Sequence, residues 1–136
     1  MLYKVLLTNI LFLFLLQSAQ AHILPAPTTI YEYEGTVGDL AIKMTFSTSY
    51  NNRVTTYYGS YQYKKVGKNI ELAGSWVPRS ESFELVEFGG DGGTVSGYFQ
   101  LKYDVERVDL ISGTWTSFDK KKKLPVKLKL KSEREE

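Results

Sequence analysis

Apolar and polar residues alternate with period two through most of this chain, a pattern that builds strands with one apolar face and offers little to an amphipathic helix. Leu40, Ile42, Met44 and Phe46 alternate with Ala41, Lys43, Thr45 and Ser47. Tyr57, Gly59, Tyr61 and Tyr63 alternate with Tyr58, Ser60, Gln62 and Lys64. The same beat returns from Ile70 to Trp76, from Val95 to Leu101 and from Leu124 to Leu130. Turn-forming clusters separate the runs, among them Val37-Gly38-Asp39, Val66-Gly67-Lys68-Asn69 and Gly89-Gly90-Asp91-Gly92-Gly93. With the weaker runs around Tyr31, Phe83 and Ile111, the reading is eight strands joined by seven short connections. None of the connections is long enough for a crossover helix, so neighbours should pair antiparallel.

Two runs change phase. Phe83 and Leu85 share one face while Val86 and Phe88 take the other, and Val108 and Leu110 are out of phase with Ile111 and Trp115. A bulge or register shift is expected near each. A short repeat also recurs on the apolar faces: Gly59-x-Tyr61, Gly74-x-Trp76, Gly97-x-Phe99 and Gly113-x-Trp115. A glycine inside a strand lets the sheet bend, and an aromatic two residues on covers the gap. Bending repeated across several strands curls a sheet towards closure. The predicted fold is therefore all-β, an eight-stranded antiparallel meander closed as an up-and-down barrel. A strongly curved open sheet or a sandwich is the alternative.

The first residues place Lys4 ahead of an apolar run that ends before Ala19-Gln20-Ala21. This is the pattern of a cleavable signal peptide over residues 1–21. Residues 22–29 follow as an extended leader carrying Pro25 and Pro27, residues 30–131 as the barrel, and residues 132–136 as a charged tail. The chain contains no cysteine, so an exported domain must hold together by its core, and lipid attachment through cysteine is excluded. Bacterial export to the periplasm or the medium fits this best. A formal net charge of +2 argues against a dedicated nucleic-acid binder.

Catalytic and metal-binding arrangements are scarce. His22 is the one histidine and would begin the mature chain, but a copper brace needs a second imidazole. With no cysteine and one terminal imidazole, Ser-His and Cys-His nucleophile pairs are absent. Glu32 with Glu34, and Glu84 with Glu87, are the possible carboxylate pairs. Glu32 and Glu34 alternate with Tyr31 and Tyr33, as on a solvated strand face. The glycine-rich stretch 89–93 holds a single aspartate, too few oxygens for calcium, and a strand rather than a helix follows it. It reads as a hairpin turn. The chain is expected to be non-enzymatic, with no metal and no cofactor.

Two groups of residues remain as candidates for binding. Tyr57, Tyr61, Tyr63, Trp76, Phe99 and Trp115 share the predicted inner face. They form either a packed core or the lining of a cavity for a small apolar ligand, as in lipocalin-like carriers, and packing is the more common use of such faces. The second group is basic: Lys120, Lys121, Lys122 and Lys123 in a turn, then Lys127, Lys129 and Lys131 along the last strand opposite Leu124, Val126, Leu128 and Leu130. Lysines and a proline on a terminal strand discourage unwanted pairing. The functional alternative is a basic patch that meets phosphates, lipid headgroups or an acidic protein. A membrane-spanning barrel is disfavoured by the short connections and the absence of aromatic girdles.

The stretches from Tyr57 to Gly59, from Tyr63 to Gly74 and from Ser112 to Ser117, with Lys122-Lys123-Leu124-Pro125, resemble a pattern in small exported bacterial β domains. More loosely, the chain is similar to periplasmic lysozyme-inhibitor domains. The resemblance implies a periplasmic binding protein that acts on a protein or an envelope component, in the manner of an inhibitor or immunity protein.

Overall fold

The computed structural model describes residues 28–51 and 54–136. The expected signal peptide, His22 and most of the leader lie outside the described residues. Eight strands follow in order: β1 (Thr29–Val37), β2 (Leu40–Asn51), β3 (Val54–Tyr63), β4 (Ile70–Val77), β5 (Ser82–Phe88), β6 (Gly97–Tyr103), β7 (Leu110–Ser117) and β8 (Lys123–Glu135). Each pairs antiparallel with the next, and β8 returns to β1, so the meander closes as a barrel. A 3-10 turn at Asp91–Gly93 interrupts the β5–β6 connection.

Closure has a local cause in the glycines. A Cβ added at Gly35, Gly59, Gly74 or Gly113 would land on the backbone carbonyl oxygen of the neighbouring strand, at Lys127, Thr45, Glu84 and Gln100 respectively. At these points two backbones approach more closely than side chains permit, which is how the sheet curls tightly. The Gly-x-aromatic repeat marks three of the four.

The inward faces make one apolar core. Met44 and Phe46 of β2, Leu72 of β4, Phe83 and Leu85 of β5, Leu101 of β6, Ile111 of β7 and Val126 and Leu128 of β8 are all buried. Each contributes about 1.5–3 kcal/mol by leaving water. The outward faces carry Lys43, Glu71, Glu84, Lys102, Lys127 and Lys129, all exposed. A wall charged outside and apolar inside is the reverse of a bilayer-spanning barrel. Among the described residues, no helix is long and apolar enough to cross a membrane.

The register corrects three expectations. β5 pairs without interruption with both β4 and β6, so the phase change there is not a bulge: Phe83 and Leu85 point inward, while Val86 and Phe88 lie half-buried on the outer wall. β7 is also continuous with both neighbours, because Val108 belongs to the preceding loop and the strand starts at Leu110. Among the described residues the register shifts between β1 and β8, where Lys131 is the extra residue between Leu130 and Ser132. Residues 132–136 are not a free tail, since β8 runs to Glu135 and pairs with β1 back to Thr29. Arg134 and Ser132 both hold the Glu32 carboxylate, each at 2.7 Å.

Closure also changes the reading of the last strand. β8 has a partner on each side, so Lys127, Lys129 and Lys131 do not protect an edge. Lys127 and Lys129 stand opposite Thr36 and Glu34 of β1 on a solvated wall.

Candidate functional site

The alternating direction of the strands sorts the connections between two ends of the barrel. One end collects β1–β2, β3–β4, β5–β6 and β7–β8. The other collects β2–β3, β4–β5 and β6–β7, with the start of β1 and the end of β8. The six aromatics expected to line an interior are all on inward faces, but ring contacts divide them between the ends. Tyr57 and Trp76 each pack edge-on against Phe83, with ring centroids 5.0 Å apart. Tyr61 meets Tyr63 at 5.5 Å and Phe99 at 5.3 Å, and Trp115 stands opposite Phe99 in register. Tyr57, Tyr61 and Phe99 are buried, and Tyr63, Trp76 and Trp115 pack against the same core. They fill the barrel from both ends and do not surround one chamber.

The chemistry inside is concentrated on Glu87, which is only 4% exposed. Period two carries it inward behind Phe83 and Leu85. Three neutral donors hold its carboxylate. The Tyr61 hydroxyl and the Trp115 Nε1–H, the latter at 2.8 Å, donate to Oε2. The Ser96 hydroxyl donates to Oε1 at 2.6 Å. Gly97, the cross-strand partner of Glu87, leaves the room this needs: a Cβ there would sit 2.6 Å from Trp115 Nε1. A buried carboxylate is costly unless its oxygens are hydrogen-bonded, and here both are. Burial pushes the Tyr61 phenol well above its ordinary range, and its donation to Glu87 adds to the shift.

Ser96 extends this centre to the surface. Its hydroxyl also accepts from the Gly89 N–H at 2.8 Å, and its backbone carbonyl accepts from the Phe118 N–H at 3.0 Å. The β5–β6 and β7–β8 connections are thereby tied to one buried carboxylate. The period-two pattern held the signal for Glu87, but the apolar Val86 and Phe88 on the other face obscured which side was inward. The Glu84–Glu87 pair dissolves for the same reason, because Glu84 is exposed on the outer wall. Glu32 and Glu34 also face outward and are engaged by Arg134 and by Lys64 at 3.3 Å. These partners hold both carboxyls below their usual range.

The basic residues also separate in space. Lys120 to Lys123 sit at the Glu87 end, where Lys64, Lys65 and Lys68 of the β3–β4 connection join them. Lys127 and Lys129 lie along the wall. Clefts open at both ends. One of about 380 Å³ runs along Lys68, Ile70 and the 89–93 turn, and one of about 450 Å³ runs beside Trp76, Tyr103 and Val105. In comparison with known proteins, no family model matches the chain and no curated sequence matches it.

Proposed function

We propose that this chain is an exported, non-enzymatic binding barrel that works through its outer surface on a component of the cell envelope. The observation that supports this is the filled interior. Among the described residues fifteen buried apolar side chains form the core, and the inner aromatics contact one another where a carrier would hold its ligand. The acidic residues support the same reading. Glu84 and Glu87 face opposite sides of one strand, and Glu87 is occupied by three donors from its own fold. Export rests on the signal-peptide pattern of residues 1–21.

Native mass spectrometry of the protein released from its own envelope tests this function. A bare protein mass is expected. A stoichiometric small-molecule adduct that survives desalting would make the barrel a carrier of an apolar ligand and overturn the reading.

A further inference from the structure

We propose that the lysine-rich end of the barrel docks on an anionic phospholipid surface, with Leu40, Val66 and Phe118 entering the headgroup layer between the lysines. This names the envelope component and rests on the reading that the barrel acts through its outer surface.

The charge is polarised along the barrel. Lys64, Lys65, Lys68 and Lys120 to Lys123 gather at one end against Asp39, Asp91 and Asp119. The opposite end is rich in acids, with Glu81, Asp104, Glu106 and Asp109 in its loops and Glu133, Glu135 and Glu136 in the final residues. Pairing sharpens the contrast. At the acidic end Arg107 and Arg134 are bound to carboxylates at 3.0 and 2.7 Å, and Arg79 alone stands among the described arginines without an ion pair. At the basic end Lys64 reaches Glu34, and among the described residues the other six lysines form no ion pair. Asp119 is turned into its own loop, accepting from Ser117 Oγ at 2.7 Å and the Lys121 N–H at 3.0 Å. The field at this end is therefore open to a partner.

Apolar tips stand among these lysines. Leu40 is 49% exposed, Val66 72% and Phe118 60%; Leu40 opens β2, Val66 lies in the β3–β4 connection and Phe118 in the β7–β8 connection. One exposed apolar residue is ordinary. Three on one rim, interleaved with unpaired lysines, have the composition of an interfacial membrane-binding face. The lysine stems can lie along the acyl boundary while their ammonium groups meet phosphates. The tips come from three separate elements of the rim, which suits a fluid surface better than a single protein pocket. They are also anchored. The Val66 N–H donates to the Tyr63 carbonyl at 3.0 Å, and Phe118 is tied through Ser96 to Glu87.

The chain has no cysteine, so Val66→Cys and Val105→Cys each give a unique site for an environment-sensitive fluorophore. Val105 is 99% exposed at the acidic end. The full folded chain is mixed with vesicles of phosphatidylcholine alone or of phosphatidylcholine with phosphatidylglycerol. The expected result is salt-sensitive binding to the anionic vesicles, with dehydration of the label at 66 and none at 105. Combining Lys65→Gln, Lys68→Gln, Lys121→Gln and Lys122→Gln should weaken binding by about fivefold per lysine, on the order of several hundredfold in all. Phe118→Ser should weaken it independently, and an unchanged thermal midpoint shows that both variants fold. Absence of vesicle binding, equal binding to neutral vesicles, dehydration at 105, or full affinity in the lysine variant would each overturn the inference. Capture of an acidic protein without vesicle binding would also overturn it. These failures leave the surface-acting barrel standing, whereas a bound small molecule in the native mass would remove that reading whatever the vesicles show.

Discussion

The indole Nε1–H of Trp115 on β7 donates to Oε2 of Glu87 on β5 at 2.8 Å, across the glycine-lined gap left by Gly97 on the strand between them. A residue with no side chain thus lets a tryptophan reach past one strand to a carboxylate on the next. The contact joins core, loop and rim, because the same carboxylate holds Ser96, and Ser96 holds the two connections beside it.

Substitutions at Glu87 should separate charge from hydrogen bonding. Glu87→Leu leaves the buried Tyr61 and the half-buried Trp115 and Ser96 donors without an acceptor and should cost about 3 kcal/mol. Glu87→Gln retains one acceptor oxygen and should cost about 1 kcal/mol. Urea unfolding followed by tryptophan fluorescence measures both. Equal losses would mean that the charge, and not the donor count, sets the stability of this centre.

Gly97→Ala should disturb the same centre indirectly. The added methyl meets the Trp115 ring and displaces it from Glu87, so a loss of about 1–3 kcal/mol is expected. Gly113→Ala should cost at least as much, since its Cβ strikes the carbonyl of Gln100, which is backbone and cannot rotate aside. Gly67→Ala, with open space around it but φ +70°, should cost only about 1 kcal/mol. If all three losses were similar, close strand approach would not be what the sheet glycines provide.

The barrel should be sensitive to alkali. Burial raises the phenol pKa of Tyr33, Tyr57 and Tyr61 above the ordinary value of 10.0. The unfolded chain releases these protons first, so their contribution is fully present below pH 10 and is lost as pH rises beyond it. Each withheld phenol should remove about 1.4 kcal/mol per pH unit in that range. Tyrosinate absorbance should appear together with unfolding for these residues. Their titration near pH 10 in the folded protein would show that they are not buried.

Acid should act more gently. Glu32, Glu34, Asp109 and Asp119 have pKa values lowered by hydrogen bonds to Arg134, Lys64, Arg107 and the Lys121 N–H, respectively. Their contribution is present above the ordinary carboxylate range and is lost as pH falls through their depressed values. All four are solvent-exposed, so the effect should be small and weakened by salt. Thermal midpoints between pH 6 and pH 3, at low and high salt, check this.

Replacing Lys127 and Lys129 with glutamine should change stability by no more than about 0.5 kcal/mol and leave the protein unaggregated. Light scattering during a thermal ramp is the measurement. Increased self-association would indicate that β8 opens as a free edge in solution.

Alternation along each strand depends only on the backbone period of two, so it was legible without knowing which strands pair. It located eight strands and their turns, put Tyr57, Tyr61 and Tyr63 on inner faces, and, with the Gly-x-aromatic repeat, pointed to a curled sheet. Where both faces of a segment are apolar, as from Phe83 to Phe88, the period has no preferred phase, and the inward position of Glu87 stayed hidden. Its partners lie on β3, on β7 and in the β5–β6 connection, and pairing register alone brings them together. The lysines followed the same division. The sequence placed Lys120 to Lys123 in a turn and Lys127 and Lys129 along the last strand, but strand direction alone brought the turn lysines to a rim beside Lys64, Lys65 and Lys68. Composition and period therefore determined the kind of fold. Closure of β8 on β1 decided that no edge remained, which charges share an end, and which carboxylate is buried, because each depends on contacts between residues far apart in the chain.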